Sequence, residues 1–227
     1  MEFSTSFFRR LADSDNAQSF ANGLRSRRFR KFEGMVATLA RPLSILDVGG
    51  TAAFWELRGW AGRTDVQIVT LNLRIEKSRH ANIHSESGNA TDLSGFAEGS
   101  FDVVFSNSVI EHLFTLENQR RMAAEVRRVG KTYWVQTPNY WFPMEPHFHV
   151  PGWQWMPLEL RVSIIRRQRC GWRGPCSDPR AARELVREVR LMTRSELQTI
   201  FPGATVSPER FGGLVKSWIV TGGFPKI

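Results

Sequence analysis

The run Ser44-Ile45-Leu46-Asp47-Val48-Gly49-Gly50-Thr51, followed by Ala52-Ala53-Phe54-Trp55, constrains this chain more than any other segment. Apolar residues lead into an acid, then paired glycines, then small residues where a helix can begin. A short apolar run without strict alternation is the pattern of a parallel strand buried on both faces. Glycines at its carboxyl end let the backbone turn tightly and let a ligand approach the peptide groups. The expectation is a ligand site at the carboxyl edge of a doubly wound sheet.

Similar units follow. Val66-Gln67-Ile68-Val69-Thr70-Leu71 reads as a second strand, ended by Asn72-Leu73. A short third strand precedes Gly88-Asn89-Ala90-Thr91-Asp92-Leu93. Ser100 to Asn107 is a fourth buried strand, a helix spans roughly 116–129, and Thr132 to Thr137 is a fifth strand closed by Pro138. Strands alternating with helices at this spacing predict an α/β fold with a parallel sheet. Residues 1–43 read as amphipathic helix, with Phe20, Leu24, Phe29, Phe32, Met35, Val36 and Leu39 near helical spacing. From Asn139 to about Met192 the pattern breaks into a stretch rich in Trp, Pro and Arg. Thr193-Arg194-Ser195-Glu196 then reads as a capping box, ahead of a helix to about Phe201 and strands near 204–211 and 215–221.

With 227 residues the chain fits one domain with an insertion. No segment approaches the roughly 18 apolar residues of a membrane span, and the N-terminus lacks the basic–apolar–small order of a signal peptide. A cytoplasmic protein is expected. Cys170 and Cys176, in C-x5-C spacing without a second pair, match none of the usual zinc patterns and are expected as reduced thiols. The formal net charge of +9 concentrates at Arg25, Arg27, Arg28, Arg30 and Lys31, and again at Arg161, Arg166, Arg167, Arg169 and Arg173. Such patches suit anionic partners such as nucleic acid, anionic lipid or a phosphorylated substrate, or are solvated helix faces.

Taken together, the strand-one turn and the strand-four segment Ser100-Phe101-Asp102-Val103-Val104-Phe105-Ser106-Asn107-Ser108-Val109-Ile110-Glu111-His112-Leu113 resemble the class I S-adenosylmethionine-dependent methyltransferases. The likeness is to their bacterial methyltransferase-11/UbiE-like branch, strong over 44–138 and weak over 193–222. It implies a Rossmann-like doubly wound seven-stranded sheet with the last strand antiparallel. It also implies N-terminal helices in 1–43, a cofactor-binding core in 44–138, an acceptor lid in 139–192 and a C-terminal helix and strands in 193–227. The implied cofactor is S-adenosyl-L-methionine. The resemblance puts Asp47 against the methionine end, Gly49 and Gly50 in the turn beneath the cofactor, and Asn72 at the ribose hydroxyls, where the family usually has an acid. Glu76 is a substitute acid one helical turn later. Asp92 matches the acceptor for the adenine amino group, Ala90 faces the ring, and Asn107 and Ser108 lie along the methionine part. Thr51 and Ala53 replace two of the family's glycines.

Glu111 and His112 are the catalytic candidates, since an imidazole of near-neutral pKa suits proton removal from an attacking group. Packing against the cofactor loop is the competing role for the pair. Within the lid, Trp141, Glu145, His147 and Trp153 are the candidate acceptor contacts, broad faces with polar handles. Four ligand-type side chains, Glu111, His112, His147 and His149, have no HExxH-like spacing, so no metal is expected. The expected function is methyl transfer to a small-molecule or lipid-linked acceptor. A nucleic-acid methyltransferase, and a non-catalytic cofactor-binding protein, are the alternatives. Contact with a membrane surface through the tryptophans and arginines is a further expectation.

Overall fold

A computed structural model describes residues 20–75 and 78–225. Glu76 and the N-terminal part of the expected helical region lie outside the described residues. Seven strands form one sheet: β1 (Leu43–Val48), β2 (Val66–Asn72), β3 (Ile83–Ser87), β4 (Phe101–Asn107), β5 (Gly130–Pro138), β6 (Thr205–Phe211) and β7 (Leu214–Gly222). Their order is β3-β2-β1-β4-β5-β7-β6. The first five pair in parallel, whereas β7 runs antiparallel to both β5 and β6. This is the doubly wound sheet expected, with its order reversing between β1 and β4, where open α/β sheets hold ligands.

Helices cover both faces because the strands are apolar on both. On one face, α1 (Phe20–Val36) and α2 (Ala52–Leu57) pack Phe29, Phe32, Val36 and Trp55 against Leu43, Ile45, Ile68, Val103 and Phe105. The Phe32 and Phe105 rings meet edge to face at 4.8 Å. On the other, α3 (Leu116–Val129) and α6 (Arg194–Ile200) bury Met122, Val126, Leu197 and Ile200 against Leu46, Val48, Val104 and Val135. Thr115 caps α3 by accepting from the Asn118 N–H, and the capping box of α6 forms as its sequence predicts.

The stretch 139–192 holds two helices that the sequence pattern hid, α4 (Leu158–Arg167) and α5 (Pro179–Arg187). They share a small core of their own with Phe148, Trp153 and Cys170. Its two ends are tied together: Asn139 and Met192 form a bridge, and the Tyr140 N–H donates to the Met192 carbonyl at 3.1 Å. No described helix is long and apolar enough to cross a membrane.

Candidate active site

Strand parity decides what the carboxyl edge presents. In β1, Leu43, Ile45 and Asp47 point to the α1–α2 face, and in β4 so do Val103, Phe105 and Asn107. Asp47 is therefore tucked beneath the glycine turn, 1% exposed, accepting from the Trp55 indole N–H at 2.7 Å. Burial pushes its pKa up to about 7, the Trp55 hydrogen bond pulling the other way. Asn107 accepts from Arg28 of α1 at 2.6 Å. Neither side chain lines the large cleft at this edge.

That cleft has a volume of about 450 Å³, and its walls include Gly49, Asn72, Ala90, Ser108, His112 and Phe114. Gly49 has φ +79°, and a Cβ there would come 2.4 Å from Val109 Cγ2, so only glycine fits. Gly50 is excluded from change by a different neighbour: its Cβ would lie 1.7 Å from Asp47 Oδ2. Asn72 reaches the cleft wall, yet its amide braces the turn. Its Nδ2 donates to the Gly50 carbonyl at 3.3 Å and its Oδ1 accepts from the Leu73 N–H at 2.8 Å. Asp92 turns away. Its carboxylate caps the Ser94 N–H at 3.1 Å and borders a separate depression with Arg121 and Arg128.

A second cleft of about 230 Å³ opens on the other side of Ser108. It is lined by Arg25, Arg28, Lys216, Gln136, Phe142, Met144, His147 and Trp172, among others. Ser108 lines both clefts. It sits at the end of β4 with φ +59°, a left-handed conformation that costs a non-glycine residue energy. Its hydroxyl donates to Gln136 Oε1 at 2.9 Å, which also accepts from Arg28 at 2.7 Å. Arg28 is 8% exposed and pairs with Glu209 at 2.7 Å. Lys216 has its pKa lowered by burial, then by the positive charges of Arg28 and Arg25, with Glu209 opposing. The first basic patch is thus partly internal: Arg25 and Arg28 face a cleft, while Arg27, Arg30 and Lys31 face solvent. In the second patch, Arg173 is paired with Glu188 at 2.5 Å and Arg161 is half-buried, while Arg166, Arg167 and Arg169 are exposed.

Of the lid candidates, only His147 lines this second cleft. Trp141 is 63% exposed and touches neither cleft. Trp153 is buried, stacked on Phe148 at 4.4 Å, and borders a separate cavity of about 430 Å³, as does Glu145. Glu145 acts through its neighbours: Oε1 bonds His147 Nδ1 at 2.6 Å, and Oε2 accepts the N–H groups of His147 and Phe148. Burial works against a charged His147, but the hydrogen bond and charge of Glu145, then Glu111, outweigh it and raise its pKa. His112 behaves oppositely. Burial first, then His147, lowers its pKa to about 4, so it is a neutral imidazole at pH 7. Glu111 is fully buried with Oε2 accepting from Thr137 at 2.9 Å, and it lines neither cleft.

The sequence reading missed Lys216, Gln136 and Trp172 as cleft residues. Lys216 was readable in principle, being on β7 beside β5, but its arrival depends on the antiparallel pairing of Pro138 with Ser217.

A family model described as a methyltransferase domain matches residues 48–132. An uncharacterized Mycobacterium tuberculosis protein is 39% identical over 66 residues, an alignment taking in 29% of this chain and 22% of that protein's length. Among solved structures, a SAM-dependent methyltransferase from Aquifex aeolicus superposes with a TM-score of 0.52 at 15% identity, covering 97% of this chain and 98% of that one. The N-terminal domain of EvdMO1, solved in the presence of SAH and D-fucose, gives a TM-score of 0.51 at 18% identity, covering 92% and 84%. Residues 48–132 of this chain thus match a methyltransferase-domain family, and the described chain shares the seven-stranded fold of these solved structures.

Proposed function

We propose that this chain transfers the methyl group of S-adenosylmethionine to a small anionic acceptor. The donor would occupy the 450 Å³ cleft and the acceptor the 230 Å³ cleft. The observation that carries this reading is Ser108, which forms a wall of both. The cofactor supplies a sulfonium-activated methyl group, so the chain's task is alignment and exclusion of water.

The residues present fit such a cofactor. The left-handed turn at Gly49 leaves its peptide open to the cleft, where a Cβ would be barred by Val109. The chain from Gly88 to Thr91 offers the opposite wall. Asp47 fixes the turn from beneath through Trp55 rather than by touching the ligand. The segment 139–192 is proposed as the acceptor lid, with His147 its contact in the acceptor cleft and the remainder packing. Lys216 and Arg25, beside an Arg28 already paired with Glu209, favour a carboxylate or phosphate on the acceptor. Those cations face a cleft of only about 230 Å³, which favours a small ligand over nucleic acid. Two free cysteines support a reducing, cytoplasmic setting.

Methyl-labelled S-adenosylmethionine, incubated with the full chain and a metabolite extract, tests the reading. Label is expected in small molecules retained by an anion exchanger. Lys216→Met should raise the acceptor KM about tenfold, the scale of one lost charge-assisted contact, without changing the affinity for S-adenosylhomocysteine. Label found only in RNA or protein would contradict it.

A further inference from the structure

The two clefts share Ser108, and beside them lies a cluster of which the methyl-transfer reading uses only His147. Glu111, at the turn after β4, His112 beside it, and His147 in the lid each offer a ligand atom, all within 4.8 Å of one another. They are the one such group among the described residues. Glu111 Oε1 and His112 Nδ1 are both buried and without a hydrogen-bond partner. A carboxylate oxygen left without a partner in a fully buried side chain is costly unless something fills its lone pairs.

We propose that Glu111, His112 and His147 bind a divalent transition-metal ion of the zinc class, held between the donor and acceptor clefts. Two imidazoles and one carboxylate suit Zn²⁺, Co²⁺ or Fe²⁺ over Mg²⁺ or Ca²⁺, which take oxygen ligands. Ligand atoms on a tetrahedral ion lie about 3.3 Å apart. The 4.8 Å limit therefore leaves a closing movement of the size a histidine ring rotation supplies.

The surroundings agree. His147 Nδ1 is already bonded to Glu145 at 2.6 Å, leaving Nε2 for the ion. A carboxylate on the far nitrogen is the usual orienting partner of a metal-bound histidine. Glu111, Glu145 and Glu188 surround the cluster, with Arg173 and Arg161 as cations facing them. Because His112 lines the donor cleft and His147 the acceptor cleft, a fourth position on the ion would open at the junction. Three protein ligands with one open position is the arrangement of sites that bind a substrate oxygen. The binding of the ion rests on these side chains alone. Its use, lowering the pKa of an acceptor hydroxyl, rests on the methyl-transfer reading.

Chelator-stripped full-length protein titrated with Co²⁺ tests the site through the visible absorption of the ion. A band saturating at one ion per chain and displaced by Zn²⁺ is expected. His147→Asn should abolish it, and Glu145→Gln should weaken binding about 10–100-fold, with circular dichroism confirming each fold. A folded wild-type chain showing no saturable band would overturn the proposal. So would a band left intact by the His112→Asn/His147→Asn pair, which would put the ion elsewhere, for instance on Cys170 and Cys176. Calorimetry with S-adenosylhomocysteine on the same samples separates the two readings. Binding of that ligand without Co²⁺ uptake removes the metal site and leaves methyl transfer standing; Co²⁺ uptake without it supports the site alone.

Discussion

Asp47 is a carboxyl group with 1% exposure and a single hydrogen-bond partner, Trp55. In the unfolded chain it titrates near 3.8, in the folded chain near 7, because burial penalises the charged form. The fold therefore holds the proton more tightly than the unfolded chain does. The contribution of this group to stability is fully present below pH 3.8 and is lost as pH rises through 7. At pH 8 the buried charge costs on the order of a few kcal/mol. Asp47→Asn keeps an acceptor for the indole and removes that charge. The ligand-free variant should melt above wild type at pH 8 and close to it at pH 4. A difference that does not change with pH would show that the carboxylate is not buried as described. Asp47 and Asn107 were legible as residues of the site's edge but not by direction. Their parity with Ile45 and Phe105 sends them to the α1 face, and a strand apolar on both faces does not announce which face is which.

Among the elements, β1, β2, β4 and α3 could be read because each carries its own signal: unbroken apolar runs, and Met122, Val126 and Val129 at helical spacing. The box at Thr193 is of the same kind. Thr193 accepts the Glu196 N–H, while Glu196 accepts the Thr193 N–H at 2.8 Å. Thr193→Ala should lower stability by about 1 kcal/mol, read as a shift in the urea midpoint with unchanged slope. No shift would mean that the cap is redundant with the Arg190–Glu196 pair at its side. The two lid helices were not read, for a physical reason. Their apolar residues serve a separate small core of Phe148, Trp153, Val162, Ile165 and Val186, so prolines and arginines dominate the local composition. A local cue was present in Asp178-Pro179, an N-cap followed by proline at the first helical position, with the Asp178 carboxylate accepting the Ala181 N–H at 2.7 Å.

Across the whole molecule, the site is an assembly of distant segments. Arg28 joins the N-terminal helix to Glu209 on β6 and to Gln136 on β5, and Gln136 in turn takes the Ser108 hydroxyl. Glu111 follows β4 while His147 lies beyond β5, and the Arg190 N–H ties the far end of that segment to the Glu111 carbonyl at 2.7 Å. Such meetings are written in the topology and not in local spacing, which is why the donor cleft could be foreseen from 44–107 and the acceptor cleft could not. The donor cleft is the central claim, and titration calorimetry of the folded, full-length protein with S-adenosylhomocysteine tests it most directly. Saturable heat at one ligand per chain is expected, with a Kd of about 1–100 μM, roughly 5.5–8 kcal/mol of binding free energy. A folded chain that gives no heat with that ligand at millimolar concentration would contradict it.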